Sequence, residues 1–331
     1  MLRLPRFGVA APTDLPQALA LLEERGTAAR VIAGGTDLLP NLKHRIETPE
    51  LLISLAGVRE LSGIAEQADG SWLLGATTRL VDLACHEGLR RAAPALAEAA
   101  ACVASPQIRN MATLGGNILL DTRCRYINQT HFWRQALGYC LKKDGTVCHV
   151  VAGGKKCVAA ASSDTVPALY TLGATVLLQS SRGTRELGID ALYRNDGIKH
   201  TNISTDELLV SVRIPAQATG HRGAYEKLRD RAAIDFPELG VAVRLDVDAQ
   251  VVKAVDIAVT ALQARPRRVT RIDDILLGKS TSGAAFRDAA ERAAQRAFEQ
   301  CHPMPNVPGD SDYRQEMVRV LAKRALLRAA G

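Results

Sequence analysis

The chain has 331 residues, of which 47% are hydrophobic and 23% charged, and a net charge of +7; this is the balance of a soluble globular protein with room for two or three domains. No apolar run approaches the roughly 18 residues of a membrane span, and the opening MLRLPRFGVAAPTDLPQALALLEERG lacks the apolar stretch and cleavage site of a secretory signal, so the expected location is cytoplasmic. The basic balance does not imply nucleic acid. Arg and Lys mostly alternate with apolar residues, as in YRQEMVRVLAKRALLRAA (313–330), which reads as the solvated face of an amphipathic helix, and no zinc-finger or RNA-binding aromatic spacing is present.

In chain order, LPQALALLEER (15–25) has helical periodicity with Asp14 as N-cap and Pro16 in the first turn. ARVIAGGTDLLPNLK (29–43) reads as strand, glycine turn and short helix, and LLISL (51–55) as a buried strand, which makes residues 1–57 a small α/β unit. WLLGA (72–76) is a strand; residues 79–104 are two helices broken near Gly88 and Pro94; SPQIRNMATLGGNILL (105–120) is a loop closing on a second glycine pair. A helix at 164–174 and strands TVLLQS (175–180) and ELLVSVRIP (207–215) complete a mixed unit over 58–218. From about 221 the segments GAYEKLRD, GVAVRLDVD and AVDIAVTALQA alternate like antiparallel strands, and helices around 283–301 and 311–329 follow, an α+β unit over 221–331.

Two features carry chemistry. Gly34-Gly35 and Gly115-Gly116 fit neither the dinucleotide-binding nor the P-loop fingerprint. Each pair exposes successive N–H groups, and Thr36, Asp37 and Asn117 add polar side chains beside them, so two such loops suit a pyrophosphate; read alone, each is more simply an ordinary strand-to-helix turn. The second feature is the segment 121–157, which holds four of the seven cysteines and four of the 13 aromatic residues. Cys124, Cys140, Cys148 and Cys157 are spaced C-x15-C-x7-C-x8-C. Four thiolates suit a [4Fe–4S] cluster, a [2Fe–2S] cluster or tetrahedral zinc, with His131 and His149 as further zinc candidates; the close cysteine knuckles of structural zinc are missing, and four unliganded thiols are the remaining reading. Cys85, Cys102 and Cys301 lie singly in Ala- and Leu-rich segments and read as small buried hydrophobes.

AGGTDLLP (33–40), ATLGGN (112–117), SSDTVPAL (162–169), ELLVSVRIP (207–215) and AYEKLRDRAAIDFPELGVAV (224–243) occur in that order. Together they resemble the FAD-binding subunit or domain of the molybdenum hydroxylases, the xanthine dehydrogenase and carbon monoxide dehydrogenase family, over nearly the whole chain. The resemblance implies an α+β fold, with an FAD-binding domain of the vanillyl-alcohol-oxidase (PCMH) type in two α/β subdomains, then a CO-dehydrogenase-flavoprotein-like C-terminal domain. It implies that Val31, Ile32, Ala33, Gly34, Gly35, Thr36, Asp37 and Leu38 wrap the FAD pyrophosphate and ribitol, that Thr113, Leu114, Gly115, Gly116 and Asn117 form a second phosphate loop, and that Val103 lines the site. Asp164 would bond a polar part of the flavin; Leu209 and Lys227 would lie near the isoalloxazine ring. Asp235 lies in a DFP context that departs from the family pattern.

Members of the family run almost directly from the TLGGN loop to the S-D-x-x-P-x-L segment, so the cysteine segment is an insertion. Through DTRC (121–124), NQ-x-x-x-W-R (128–134), GYCLK (138–142) and CHV (148–150) it resembles that of the 4-hydroxybenzoyl-CoA reductases, in which the β subunit carries an additional [4Fe–4S] cluster. The resemblance implies that Cys124, Cys140, Cys148 and Cys157 hold the cluster, shielded by Tyr126, Phe132, Trp133, Tyr139, Val150 and Val151. It further implies a large molybdopterin subunit, a small subunit with two [2Fe–2S] clusters, a dimer of heterotrimers, and reductive removal of the phenolic hydroxyl with electrons from ferredoxin. A related hydroxylase subunit with another substrate and outward electron flow, or a zinc-stapled flavin module, is the alternative. The basic residues Arg123, Arg125, Arg134, Lys142, Lys143, Lys155 and Lys156, against Asp121 and Asp144 alone, would form a lobe that docks an acidic ferredoxin.

Overall fold

Three sheets follow one another along the chain in a computed structural model that describes residues 2–331. The first is parallel and three-stranded, in the order β1-β3-β2, from β1 (Gly8–Ala10), β2 (Ala29–Ile32) and β3 (Leu51–Ser54). Helix α1 (Leu15–Arg25) crosses between β1 and β2, and α2 (Leu38–Lys43) between β2 and β3. Asp14 accepts a hydrogen bond from the Gln17 N–H at 2.9 Å and so caps α1, whose Leu15, Ala18, Leu19 and Leu22 pack on Ile53 and Leu55.

The second sheet is antiparallel, in the order β4-β5-β8-β6-β7, from β4 (Ile64–Glu66), β5 (Trp72–Gly75), β6 (Thr175–Ser180), β7 (Gly183–Gly188) and β8 (Leu208–Ile214). Seven helices lie between β5 and β6. Three of them, α3 (Leu80–Cys85), α4 (Glu87–Ala92) and α5 (Pro94–Cys102), occupy the stretch expected to hold two. The break near Pro94 is present; the other falls at His86, whose Nδ1 accepts from the Leu89 N–H at 3.2 Å and caps α4, so that Gly88 stays helical. The expected loop at 105–120 instead holds α6 (Pro106–Arg109) and α7 (Leu114–Ile118), started by Ser105 and Thr113 as N-caps. Helices α8 (His131–Ala136) and α9 (Thr165–Thr171) complete the unit.

The third sheet is antiparallel in the order β12-β11-β10-β9, from β9 (His221–Leu228), β10 (Leu239–Asp248), β11 (Val251–Thr260) and β12 (Arg267–Arg268). It is followed by α10 (Asp273–Leu276), α11 (Gly283–Gln300) and α12 (Ser311–Ala330). Strand alternation sends Val241, Val243 and Leu245 to a core shared with α11 and α12, and Ala242 and Tyr225 to the core of the second unit. Both faces of this sheet are therefore covered, and β9 delivers its second-unit face to the candidate site. No helix among the described residues is long and apolar enough to cross a membrane.

The solvated-face reading of 313–330 fails at Arg314, which is fully buried. Its guanidinium donates to the carbonyls of Glu238 (3.1 Å), Met304 (3.0 Å) and Ala261 (2.7 Å), locking α12 onto the third sheet. Arg314→Ala leaves three carbonyls without that donor; a loss of about 3 kcal/mol or more is expected, read as a lower midpoint in thermal unfolding.

Candidate functional site

Strand β2 ends at Ile32 and the chain turns through Gly34-Gly35 into α2. The whole run Val31–Leu38 is half-buried, as the wall of a groove would be. Gly34 lies so close to the segment before α7 that a Cβ there would stand 1.9 Å from the Met111 carbonyl oxygen, and Gly35 adopts φ +69°. Among the described residues, the N–H groups of Gly34, Gly35 and Thr36 take no partner from the chain. The second pair differs. The N–H groups of Leu114 and Gly115 donate to the Thr78 and Ala76 carbonyls (2.9 and 2.7 Å), Gly116 to Thr113 Oγ1 (3.2 Å) and Asn117 to the Thr113 carbonyl (2.9 Å). The free donors expected on both loops are thus concentrated on the first, because the second has wound into a helical turn.

Asn117 joins the second loop to the S-D-x-x-P-x-L segment. Its Oδ1 accepts from Ser163 Oγ (2.7 Å), Thr165 Oγ1 (2.7 Å) and the Thr165 N–H (3.2 Å). Between those partners is Asp164, fully enclosed. Tyr225 Oη donates to it at 2.8 Å and Lys227 Nζ at 3.0 Å, with Lys227 also donating to the Cys102 carbonyl at 3.0 Å beside Val103. Burial pushes the Asp164 carboxyl up, and Lys227 and then Tyr225 oppose it. Tyr225 was not singled out in the sequence, although its position two residues before Lys227 in a strand puts both on one face. Leu209 is buried in the core of the second sheet, next to Val210, whose carbonyl accepts from the Ala76 N–H.

Arg123, at the start of the cysteine segment, forms an ion pair with Asp37 of the first glycine loop, and its guanidinium lies 4.0 Å from the centre of the Phe236 ring. Burial pushes its pKa down to about 10, so it remains charged at neutral pH. Asp235, by contrast, pairs with the exposed Arg231 within the β9–β10 loop that also holds Phe236.

The cysteine segment brings three of its four thiols together. Cys124, Cys140 and Cys157 are buried in one apolar cluster with Ile46, Ile127 and Ala159, flanked by Tyr126 and Val150. Cys148 is half-buried and lines an adjoining 380 Å³ cavity with Leu141, Gly154 and Lys155. All seven cysteines are free thiols. Burial pushes the Cys124 thiol up to about 11; the Tyr126 N–H opposes this, while charge on Cys157, Cys140 and Cys148 would add to it. Such thiols ionise when a metal centre supplies the compensating charge. No three described His, Cys, Asp or Glu side chains converge closely enough to hold a single ion. His149 Nε2 meets the Tyr139 carbonyl at 2.6 Å and its ring packs on Tyr126, while His131 packs edge-on against Tyr139.

Two expectations for this segment change. Phe132 is 80% exposed and Trp133 is also at the surface, so the shielding falls to Tyr126 and Val150, because α8 turns its aromatic residues outward. The basic lobe is largely interior: Arg134 donates to the His44 and Arg45 carbonyls, Arg125 to that of Val307, Arg123 pairs with Asp37, and Lys142 is buried against Asp121. Lys143, Lys155 and Lys156 remain, too few for a basic docking face.

Residues 5–217 match the FAD binding domain in molybdopterin dehydrogenase, and residues 223–329 match the CO dehydrogenase flavoprotein C-terminal domain. The chain belongs to the FAD-binding medium subunits of the xanthine dehydrogenase/carbon monoxide dehydrogenase family. It is 31% identical to the carbon monoxide dehydrogenase medium chain of Hydrogenophaga pseudoflava over 97% of this chain and 96% of that one. It is 33% identical to the aldehyde oxidoreductase FAD-binding subunit of Escherichia coli, over 88% and 89%. The solved carbon monoxide dehydrogenase of H. pseudoflava superposes with a TM-score of 0.79 at 30% identity, covering 99% of this chain and 98% of that one. The expected fold class therefore holds: an FAD-binding domain of mixed α/β structure followed by the family's C-terminal domain. The chain is an FAD-carrying oxidoreductase subunit, and the half-buried first glycine loop with its unengaged N–H groups fits the polar part of that cofactor.

Proposed function

We propose that this family member is the FAD- and [4Fe–4S]-carrying medium subunit of a 4-hydroxybenzoyl-CoA reductase-like molybdenum enzyme. The observation that carries the reading is the burial of three free cysteines, Cys124, Cys140 and Cys157, in one cluster, with a fourth, Cys148, lining a cavity of the same segment, tied to the first glycine loop by the Arg123–Asp37 pair. Val31–Leu38 hold the polar part of FAD against the wall formed by Thr113–Asn117, with Val103, Asp164, Leu209 and Lys227 toward the flavin ring. Cys124, Cys140, Cys148 and Cys157 ligate the cluster. Four thiolates without the close cysteine knuckles of structural zinc suit the cluster.

When bound, such a cluster exchanges single electrons and FAD couples one-electron to two-electron chemistry. The partners are a large molybdopterin subunit and a small subunit with two [2Fe–2S] clusters, in a dimer of heterotrimers. The donor is a ferredoxin, and the compartment is the cytoplasm, whose reducing conditions keep thiols free. The large subunit converts 4-hydroxybenzoyl-CoA to benzoyl-CoA, taking two electrons and two protons and releasing water. A second reading, a medium subunit of a related hydroxylase with another substrate and outward electron flow, draws support from the relatives named for carbon monoxide and aldehyde oxidation.

Anaerobically purified medium subunit is expected to contain about four iron and four acid-labile sulfide per chain; zinc without iron ends the cluster reading. Reoxidation of the reduced complex by 4-hydroxybenzoyl-CoA separates the first reading from the second.

A further inference from the structure

Lys142 is a cation placed inside the cysteine segment, two residues after Cys140. Its side chain is only 7% exposed. Its ammonium donates to Thr122 Oγ1 at 2.6 Å and to Asp121 Oδ1 and the Gly197 carbonyl, both at 2.7 Å, which engages all three of its N–H bonds. His200 stands beyond Asp121, with Nδ1 3.7 Å from the carboxylate; burial pushes its pKa down, so it is neutral at pH 8. The local charge is then one ammonium and one carboxylate.

Gly197 connects this pair to the thiols. Its N–H donates to the Cys157 carbonyl at 2.8 Å, and a Cβ added to it would stand 2.8 Å from Cys157 Sγ. The same residue thus meets the sulfur with its Cα and the ammonium with its carbonyl.

We propose that Lys142 and Asp121 form a fixed charge pair that sets the reduction potential of the cluster at its Cys157 corner, with Lys142 as the positioning cation. This rests on the cluster reading of the four thiols. Reduction adds one electron, taken from an external reductant such as dithionite, to a centre already carrying thiolate charge. A buried ammonium favours that added charge and a buried carboxylate opposes it.

The test is an EPR-monitored redox titration of the intact complex at pH 8, with iron and sulfide measured on each sample. Lys142→Gln should shift the cluster potential to more negative values, Asp121→Asn to more positive values, and Lys142→Arg should stay near the wild type. General loosening of the pocket would move both neutralising variants the same way, so opposite shifts support the charge pair. If Lys142→Gln fails to assemble, Asp121→Asn against Lys142→Arg still reads the sign. Unshifted potentials with full cluster content overturn this inference alone. A wild-type protein without iron overturns the cluster reading and this inference with it.

Discussion

Gly34→Ala is expected to lose most of its flavin. The added methyl carbon would sit 1.9 Å from the Met111 carbonyl oxygen, and the obstacle is backbone, which cannot rotate aside. Either the first glycine loop retreats from the segment before α7 or that segment shifts. Overpacking of this kind costs about 1–3 kcal/mol, and if it falls on the flavin-holding conformation it weakens binding by roughly 5- to 150-fold at 1.4 kcal/mol per factor of ten. Reconstitution of deflavinated protein with FAD, followed by flavin fluorescence, measures this directly. Gly8→Ala is the control, because its new methyl meets Leu51 Cδ1 at an ordinary 3.4 Å. Equal FAD affinity in Gly34→Ala and wild type would remove the first glycine loop from the cofactor site.

The second large effect belongs to Lys227. Its side chain is 2% exposed and that of its partner Asp164 is 3% exposed, so Lys227→Met strands a carboxylate in the interior with Tyr225 as its remaining side-chain donor. Breaking a buried pair in this way costs about 3–5 kcal/mol, or roughly 6–20 °C of thermal midpoint at about 2–4 °C per kcal/mol. The pH dependence has a definite sign. Burial already raises the folded-state pKa of Asp164 above its unfolded value, so the folded state holds this proton more tightly and stability falls as pH rises from the unfolded pKa through the folded one. Removing Lys227 raises the folded pKa further. The deficit of Lys227→Met should therefore shrink on acidification, and the double variant Asp164→Asn/Lys227→Met should recover much of the loss. Calorimetry at pH 5 and pH 8 reads both; a deficit that grows on acidification would contradict the assignment.

Periodicity and capping chemistry made much of the architecture legible. Asp14 and Pro16 marked α1, alternation marked β9, β10 and β11, and apolar spacing marked α11 and α12. What the sequence concealed was mostly where cations go. Arg134, Lys142 and Arg314 look like surface residues by type, and each is buried because several oxygens happen to converge on it from segments far apart in the chain. Gly88 looked like a breaker, yet the His86 cap two residues earlier fixed the boundary. Residues 114–118 looked like an open loop, and Thr113 closed them into a helical turn whose N–H groups face inward. At the candidate site, the order of the quoted motifs identified the segments. The strand face shared by Tyr225 and Lys227, and the approach of Gly34 to Met111, required the tertiary structure.

The position of Arg123 has a consequence for how the subunit matures. One guanidinium is shared by Asp37 of the first glycine loop and Phe236 of the β9–β10 loop, and its own backbone exchanges hydrogen bonds with Ala160 one residue before Cys124. On the cluster reading, occupancy of the loop and occupancy of the thiol pocket would pull on the same residue. If loading one centre orders that residue, it must improve the affinity of the other by the same factor, whichever is filled first. Flavin insertion and metallation would then form a thermodynamic cycle without a privileged starting point, and half-loaded chains would be the scarce species at equilibrium.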